Sequence, residues 1–379
     1  MRTEDTTYGR ITEEGIARLR ERIGQPQERR TPPFLRHLNE DAIRNWARAI
    51  GDMNPLYSDP GYARASACGA LMASPTMLYA TDNVVSGAVS GLPGVHAMFA
   101  GTEWEWLRAP REDDRVDASS SLEDLVEKQT RFAGRSVQEI YLVEFRAGGE
   151  LIARARSWCF RTEREAAAER GTKYEGRAER GPHVYSGEEL DAIAEAYDRE
   201  RLEIRGAAPR FFEDTEVGEP LPGMVRGPYT LTTAVGFMQC WGAYAIFSHG
   251  RAFDYYRRHP FAGPLNEYGV PELPVRVHWD RGFARAVGAP DAYDFGPERV
   301  AWCGSFVTNW MGDDAVLRRL SVRIRYHNCV GDTTWFRGSV TGKRLEGGAG
   351  LADVDFTALN QDGQLSAEGS AVVELPLRS

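Results

Sequence analysis

Apolar side chains recur at i, i+3, i+4 and i+7 along EDAIRNWARAIGD, where Ile43, Trp46, Ala47 and Ile50 share one face. The pattern predicts an amphipathic helix with Asn39 as its cap and Glu40 and Asp41 at the positive end of its dipole. TLTTAVGFMQCWGA is apolar on nearly all sides and predicts a buried helix, capped by Thr232 or Thr233. TEEGIARLRERIG predicts a short helix opened by Thr12 and stopped at Gly24. A charged, Ala-rich stretch from about Ser186 to Ile204 predicts a solvated one. Elsewhere the pattern switches to alternation, the period of a strand. Gly148-Gly149 and Asp362-Gly363 each separate two alternating runs, and both pairs supply the positive φ of tight hairpin turns.

The chain also repeats itself. YSDPGYARA (57–65) and HWDRGFARA (278–286) lie 221 residues apart and agree at six of nine positions, counting Tyr with Phe. GTEWEWLRAPREDDRVDA and LSVRIRYHNCVGDTTWFRG both read as strand, polar turn and strand, with turns ending at Asp114 and Asp332. Each half therefore reads as one central helix followed by a long antiparallel sheet that wraps it. The expected boundaries are 1–163 for the first half, 164–209 for a charged linker with a helix, and 210–379 for the second half. The second copy carries about thirty extra residues, roughly 244–275, aromatic, basic and punctuated by Pro and Gly. Its length without periodicity suggests a flap or wall of a ligand tunnel, or a structural excursion.

Composition narrows the function. The 379 residues are 42% hydrophobic and carry 46 basic against 55 acidic side chains, a net charge of -9. A polyanion needs a basic surface, so nucleic acid is not an expected partner. No apolar run spans a bilayer, and the first residues lack the apolar core of a secretory signal. The five scattered cysteines (Cys68, Cys159, Cys240, Cys303, Cys329) show neither disulfide nor zinc spacing and suggest buried thiols in the cytoplasm. No H-E-x-x-H, G-x-S-x-G or helix-opening G-x-G-x-x-G occurs, which removes metal hydrolase, serine hydrolase and dinucleotide oxidoreductase readings.

IGDMNPLYSDPGYARASACGALMASPTML resembles the N-terminal half of MaoC-like acyl dehydratases. That family's pattern is Gly-Asp, Asn-Pro, a His two residues on and an Asp two beyond. Here it reads Gly51, Asp52, Asn54, Pro55, Tyr57 and Asp59, with Tyr57 in the place of the His. The second half resembles the C-terminal copy of two-domain members and supplies His278, Asp280 and the downstream Gly296. The resemblance implies an α+β double hot-dog fold: two antiparallel sheets, each wrapping a central helix, related by an internal pseudo-twofold repeat. It implies a hydro-lyase of the enoyl-CoA hydratase or acyl dehydratase type, adding water syn and reversibly to a 2-enoyl thioester. No cofactor or metal is implied; the substrate rides on coenzyme A or acyl carrier protein, and a homodimer is compatible.

In that reading His278 shuttles the proton, since an imidazole titrates near neutrality. Gly296, followed by Pro297, offers a backbone N–H at a helix start to the thioester oxygen. The family's carboxylate is missing beside His278: Leu273 or Ala243 fills its slot. Glu272 and Asp280 are the candidate catalytic replacements, with Asp254 and Glu267 of the inserted segment as further candidates; in the family the Asp280 position more plausibly caps the following helix. Asp52, Asn54 and Tyr57 are expected to be relict or to face substrate. Tyr255 and Arg257, in the cluster Tyr255-Tyr256-Arg257-Arg258-His259, are expected to meet carrier phosphates or to form a solvated patch. The tryptophans, among them Trp104, Trp302 and Trp310, suit a core more than a cavity lining. A binding protein that kept the pocket but lost turnover is the alternative, as is another lyase or isomerase on the same scaffold.

Overall fold

The computed structural model describes residues 9–27, 32–87, 91–92, 95–130, 134–163, 181–242, 246–259 and 263–378. In the first half, helices α1 (Glu13–Arg20), α2 (Glu40–Ile50) and α3 (Pro60–Ala65) precede strands β1 (His96–Trp106), β2 (Val116–Thr130), β3 (Gly134–Ala147) and β4 (Glu150–Thr162). Helix α4 (Gly187–Glu203) and the short β5 (Met224–Arg226) lead into the second half. There α5 (Leu231–Trp241), α6 (Gly250–Arg258), α7 (Arg281–Ala286) and α8 (Gly296–Met311) precede β6 (Val316–Ile324), β7 (Thr334–Glu346), β8 (Ala349–Asn360) and β9 (Leu365–Leu375).

Among the described residues the strands form one nine-stranded sheet in the order β2-β3-β4-β1-β6-β9-β8-β7-β5, so the sheets of the two halves are continuous. The halves join where β1 pairs antiparallel with β6, Trp104 opposite Leu320. Apart from β5, the order reads alike from either edge towards that seam. The hairpin turns fall where the sequence put them: Gly148 and Gly149 between β3 and β4 have φ of 58° and 85°, and Gly363 before β9 has φ 75°.

Helix ends follow local chemistry. Asn39 accepts from the Ala42 N–H and opens α2, and Gly51 closes it in the left-handed region (φ 69°). Ser186 and Glu189 form a reciprocal capping box on α4. The cap of α5 is Thr230, which accepts from the Thr233 N–H, so this helix begins earlier than either expected cap. Nor is α5 buried all round: Ala234, Phe237 and Trp241 face inward while Leu231 and Val235 are exposed.

The central helix is α8. Every residue from Pro297 to Met311 is buried, including Glu298, Arg299 and Ser305. Phe306 packs between Phe336 and Phe356 of the sheet, with ring centres 5.9 and 6.0 Å away. Burying side chains of this size contributes roughly 1.5–3 kcal/mol each. Among the described residues the first half has no counterpart. A 3-10 turn at Pro75–Ala80 packs there instead, with Thr76 so close that a Cβ on Gly304 would meet it at 2.9 Å. Helix α2 is therefore not a central helix either. It pairs with α5 at one side of the molecule, Trp46 against Phe237 at 5.7 Å. Of the expected linker and insertion, residues 164–180, 243–245 and 260–262 lie outside the described residues.

Candidate active site at the start of the central helix

The two copies of the repeated motif fold alike. Each is a 3-10 turn, Pro55–Tyr57 or Pro274–His278, running into a short helix capped by an aspartate. Asp59 accepts from the Gly61 and Tyr62 amides, and Asp280 accepts from the Phe283 amide at 2.8 Å. Asp280 thus serves α7, and its other oxygen lies 3.4 Å from Arg276.

His278 is half-buried beside the start of α8. Its ring stacks on Phe295 with centres 3.8 Å apart, and Tyr293 meets it edge-on at 4.8 Å. Its Nδ1 is 2.8 Å from the Tyr293 carbonyl. A carbonyl can only accept, so Nδ1 carries the proton and the neutral ring presents Nε2 as a lone pair. Burial lowers the imidazole pKa from 6.5 to about 4, against the pull of hydrogen bonding to the backbone of Tyr293 and Asp294.

Gly296, the first residue of α8, immediately follows the ring that His278 stacks on. Its N–H is hydrogen-bonded to nothing among the described residues, the usual state of a first-turn amide. A side chain is excluded here, because a Cβ would lie 2.2 Å from Phe99 of β1. One residue of the first half therefore walls the helix start of the second. The same turn is anchored by Asp294, which pairs with Arg299 in the buried interior, and Arg299 also donates to the Tyr326 and Ser366 carbonyls. This pair was not legible in the sequence, because Glu298 stands beside Arg299 and makes Asp294-Phe295-Gly296-Pro297-Glu298-Arg299 read as an ordinary polar helix start.

The other expected residues lie elsewhere. Glu272 accepts from Asn266 at 3.2 Å and from Arg276 at 3.4 Å, not from His278. Of the reserve candidates in the inserted segment, Asp254 pairs with Arg257 at 3.0 Å and Glu267 is exposed. Tyr255 stacks on His259 at 4.5 Å, on a helix with no buried residue. Asp52 is buried and accepts from the Asn54 amide at 3.0 Å and from Ser305 Oγ at 2.8 Å. Burial raises its pKa, against those two bonds and Arg226. Asn54 caps its turn through the Leu56 amide, and the phenol of buried Tyr57 is hydrogen-bonded to Thr308.

These placements separate the two motif copies along α8. Ser305 stands two and a half turns beyond Gly296, about 13 Å along the axis at 1.5 Å per residue. A carboxylate bonded to Ser305 is therefore out of reach of His278, since proton transfer needs contact at roughly 3 Å. His278 and Gly296 come together; Asp52, Asn54 and Tyr57 form a second polar cluster near the far end of the helix.

A separate cavity of about 1230 Å3 opens between α2 and α5, with Tyr229 and Trp302 among its lining residues. None of the sequence-predicted site residues lines it. Tyr229 donates at 2.9 Å to Glu298, whose carboxyl burial holds well above the usual range. Trp104, Trp106 and Trp310 are core, whereas Trp302 also borders this space. Among the described residues no three His, Cys, Asp or Glu side chains converge as metal ligands, and no helix is long and apolar enough to cross a membrane.

Comparison with known proteins agrees with this architecture. The model of the FAS1-like dehydratase domain region matches residues 29–143. A UPF0336 protein of Streptomyces avermitilis is 29% identical over 100 residues, 25% of this chain and 65% of that relative's length. A second, from Streptomyces griseus subsp. griseus, is 27% identical over 130 residues, 33% of this chain and 83% of the relative. Among solved structures, a MaoC-like dehydratase superposes with a TM-score of 0.65 at 17% identity, covering 95% of this chain and 100% of that one. A putative MaoC domain protein dehydratase from Chloroflexus aurantiacus gives 0.59 at 14%, covering 94% and 96%. A conserved hypothetical protein of Mycobacterium tuberculosis, described as a double hot-dog fold, gives 0.56 at 9%, covering 93% and 96%. At such identities the structural likeness speaks for the fold. The dehydratase-region match is confined to residues 29–143, and the solved structures share the double hot-dog fold over nearly the whole chain.

Proposed function

We propose that this chain hydrates 2-enoyl thioesters, and dehydrates 3-hydroxyacyl thioesters in reverse, at the start of α8. The observation that carries the reading is the pairing of a lone-pair-bearing His278 Nε2 with the unfilled Gly296 N–H around one buried aromatic, Phe295. In the forward direction Nε2 takes a proton from water as the water oxygen bonds to the β-carbon. The double-bond electrons move towards the α-carbon and the thioester oxygen, where the Gly296 N–H donates. Nε2 then returns the proton to the α-carbon on the same face, so the addition is syn. A depressed imidazole pKa suits the second half of this cycle, because a reluctant imidazolium is a strong donor to carbon. Fusion of two halves into one sheet, with Phe99 of the first against Gly296 of the second, supports a site at their interface. The carrier is coenzyme A or acyl carrier protein.

A second reading, an acyl-thioester-binding protein without turnover, is favoured by one specific observation: the polar partners of His278 are backbone carbonyls rather than a carboxylate. Loss of the conjugated absorbance of crotonyl-coenzyme A and longer 2-enoyl analogues separates the two. Saturable loss supports the hydratase; binding without loss supports the second reading; neither result removes both.

A further inference from the structure

We propose that Glu298 serves the hydration site as an uncharged acid, bracing the start of α8 without setting a negative charge beside the Gly296 amide. The catalytic consequence rests on the hydration reading, whereas the charge of Glu298 is measurable without turnover.

Glu298 lies two residues beyond Gly296 in the first turn of α8 and is 0% exposed. Its carboxyl accepts from the Tyr229 hydroxyl at 2.9 Å and from the Phe295 N–H, the amide directly before that of Gly296. Its Oε1 has no hydrogen-bond partner among the described residues. Nor does a cation pair with it there. Arg299, the adjacent guanidinium, binds both oxygens of Asp294 and donates to the Tyr326 and Ser366 carbonyls. Two buried carboxyls thus share one buried guanidinium, and Asp294 holds it. An ionised Glu298 would be a net charge in the interior.

A carboxylate out of water and without a cation takes up a proton instead. The helix start favours negative charge, but by less than burial opposes it. The neighbouring groups do not reverse this. Asp294 disfavours the charged form, while the Tyr229 and Phe295 hydrogen bonds and Arg299 favour it less than burial opposes it. Asp332, in the turn between β6 and β7, acts on Asp294, and Cys303 and Cys329 border Arg299.

The charge matters to the thioester oxygen. A carboxyl on the Phe295 N–H stands roughly 6 Å from an oxygen held by the next amide. At an effective dielectric of about 20, repulsion at that separation would slow a step that builds an oxyanion by about a hundredfold. A neutral Glu298 keeps the hydrogen bonds that fix the turn and spares the oxyanion this repulsion. With no exposed surface, it is a positioning residue rather than a catalytic one.

The test is infrared spectroscopy of the full-length protein and of Glu298→Gln in deuterated buffer, from about pH 7 to about pH 10, beside kcat for crotonyl-coenzyme A. A protonated-carboxyl band is expected in the wild type at neutral pH and is expected to be missing from Glu298→Gln. The buried Asp52 carboxyl is common to both proteins and cancels in the difference. As pH rises, kcat is expected to keep step with the band, holding where it persists and falling by up to about a hundredfold where it is lost. Glu298→Gln, scaled to its own rate at neutral pH, is expected to stay within about threefold. No band at neutral pH, a rate that holds after the band has gone, or an alkaline fall shared by Glu298→Gln each overturns the proposal. A protein without turnover at any pH overturns the hydration reading and the catalytic consequence with it, while the band still decides the charge of Glu298.

Discussion

The ring of His278 lies 3.8 Å from that of Phe295, the residue that opens the central helix and directly precedes Gly296. This contact ties the second copy of the motif to the long buried helix α8. The first copy meets the same helix at Ser305, more than two turns away. Phe295 packs in turn, with tilted rings, against Phe237 and Trp241, at 5.5 and 5.4 Å, so an aromatic cluster backs the imidazole.

Burial of that imidazole has a measurable linkage. A basic group whose pKa falls from 6.5 to about 4 on folding stays neutral in the fold while the unfolded chain already protonates. Its contribution is complete above pH 6.5 and is lost as pH falls towards 4. Urea titrations of the wild type and His278→Asn are expected to diverge by about 3 kcal/mol over that range, the wild type losing more. Parallel curves would contradict the assignment.

Gly296 is required by the close approach of Phe99. Gly296→Ala is expected to cost about 1–3 kcal/mol from overpacking. Adding Phe99→Ala gives the new methyl room, so the double variant is expected to be more stable than the sum of the singles. A double-mutant cycle with no coupling would reject the contact.

Asp294 anchors the start of α8 through its buried pair with Arg299. Asp294→Asn leaves Arg299 buried with its charge unpaired, and the expected loss is about 3–5 kcal/mol in denaturant unfolding. Asp294→Asn/Arg299→Met removes both charges and is expected to recover most of it. A loss below about 1 kcal/mol in the single variant would speak against a buried pair.

Much of this architecture was legible in the residues because the relevant signals are local. Asn39, Thr12 and Ser186 each cap the helix the pattern assigned, and Gly148-Gly149 and Asp362-Gly363 turn their hairpins. The central helix was not, although Gly296-Pro297 marked its start. With Glu298, Arg299, Ser305 and Asn309 among its buried residues, α8 has no polar face for periodicity to detect. The apolar α5 took its place in the reading, yet tertiary packing leaves Val235 in the open. His278 and Gly296 were singled out through the resemblance of the second motif copy, and the fold sets both beside Phe295. The cavity between α2 and α5 was not legible, because its walls join helices of the two halves.

The most direct test compares turnover of a 2-enoyl-coenzyme A by the wild type, His278→Ala and Asp52→Asn, with folding checked by circular dichroism. His278→Ala is expected to lower kcat by about 10²–10⁴, the range of a lost general acid–base, and Asp52→Asn to leave it within about threefold. Undiminished turnover in His278→Ala, or its loss in Asp52→Asn alone, would contradict a site built at the start of α8.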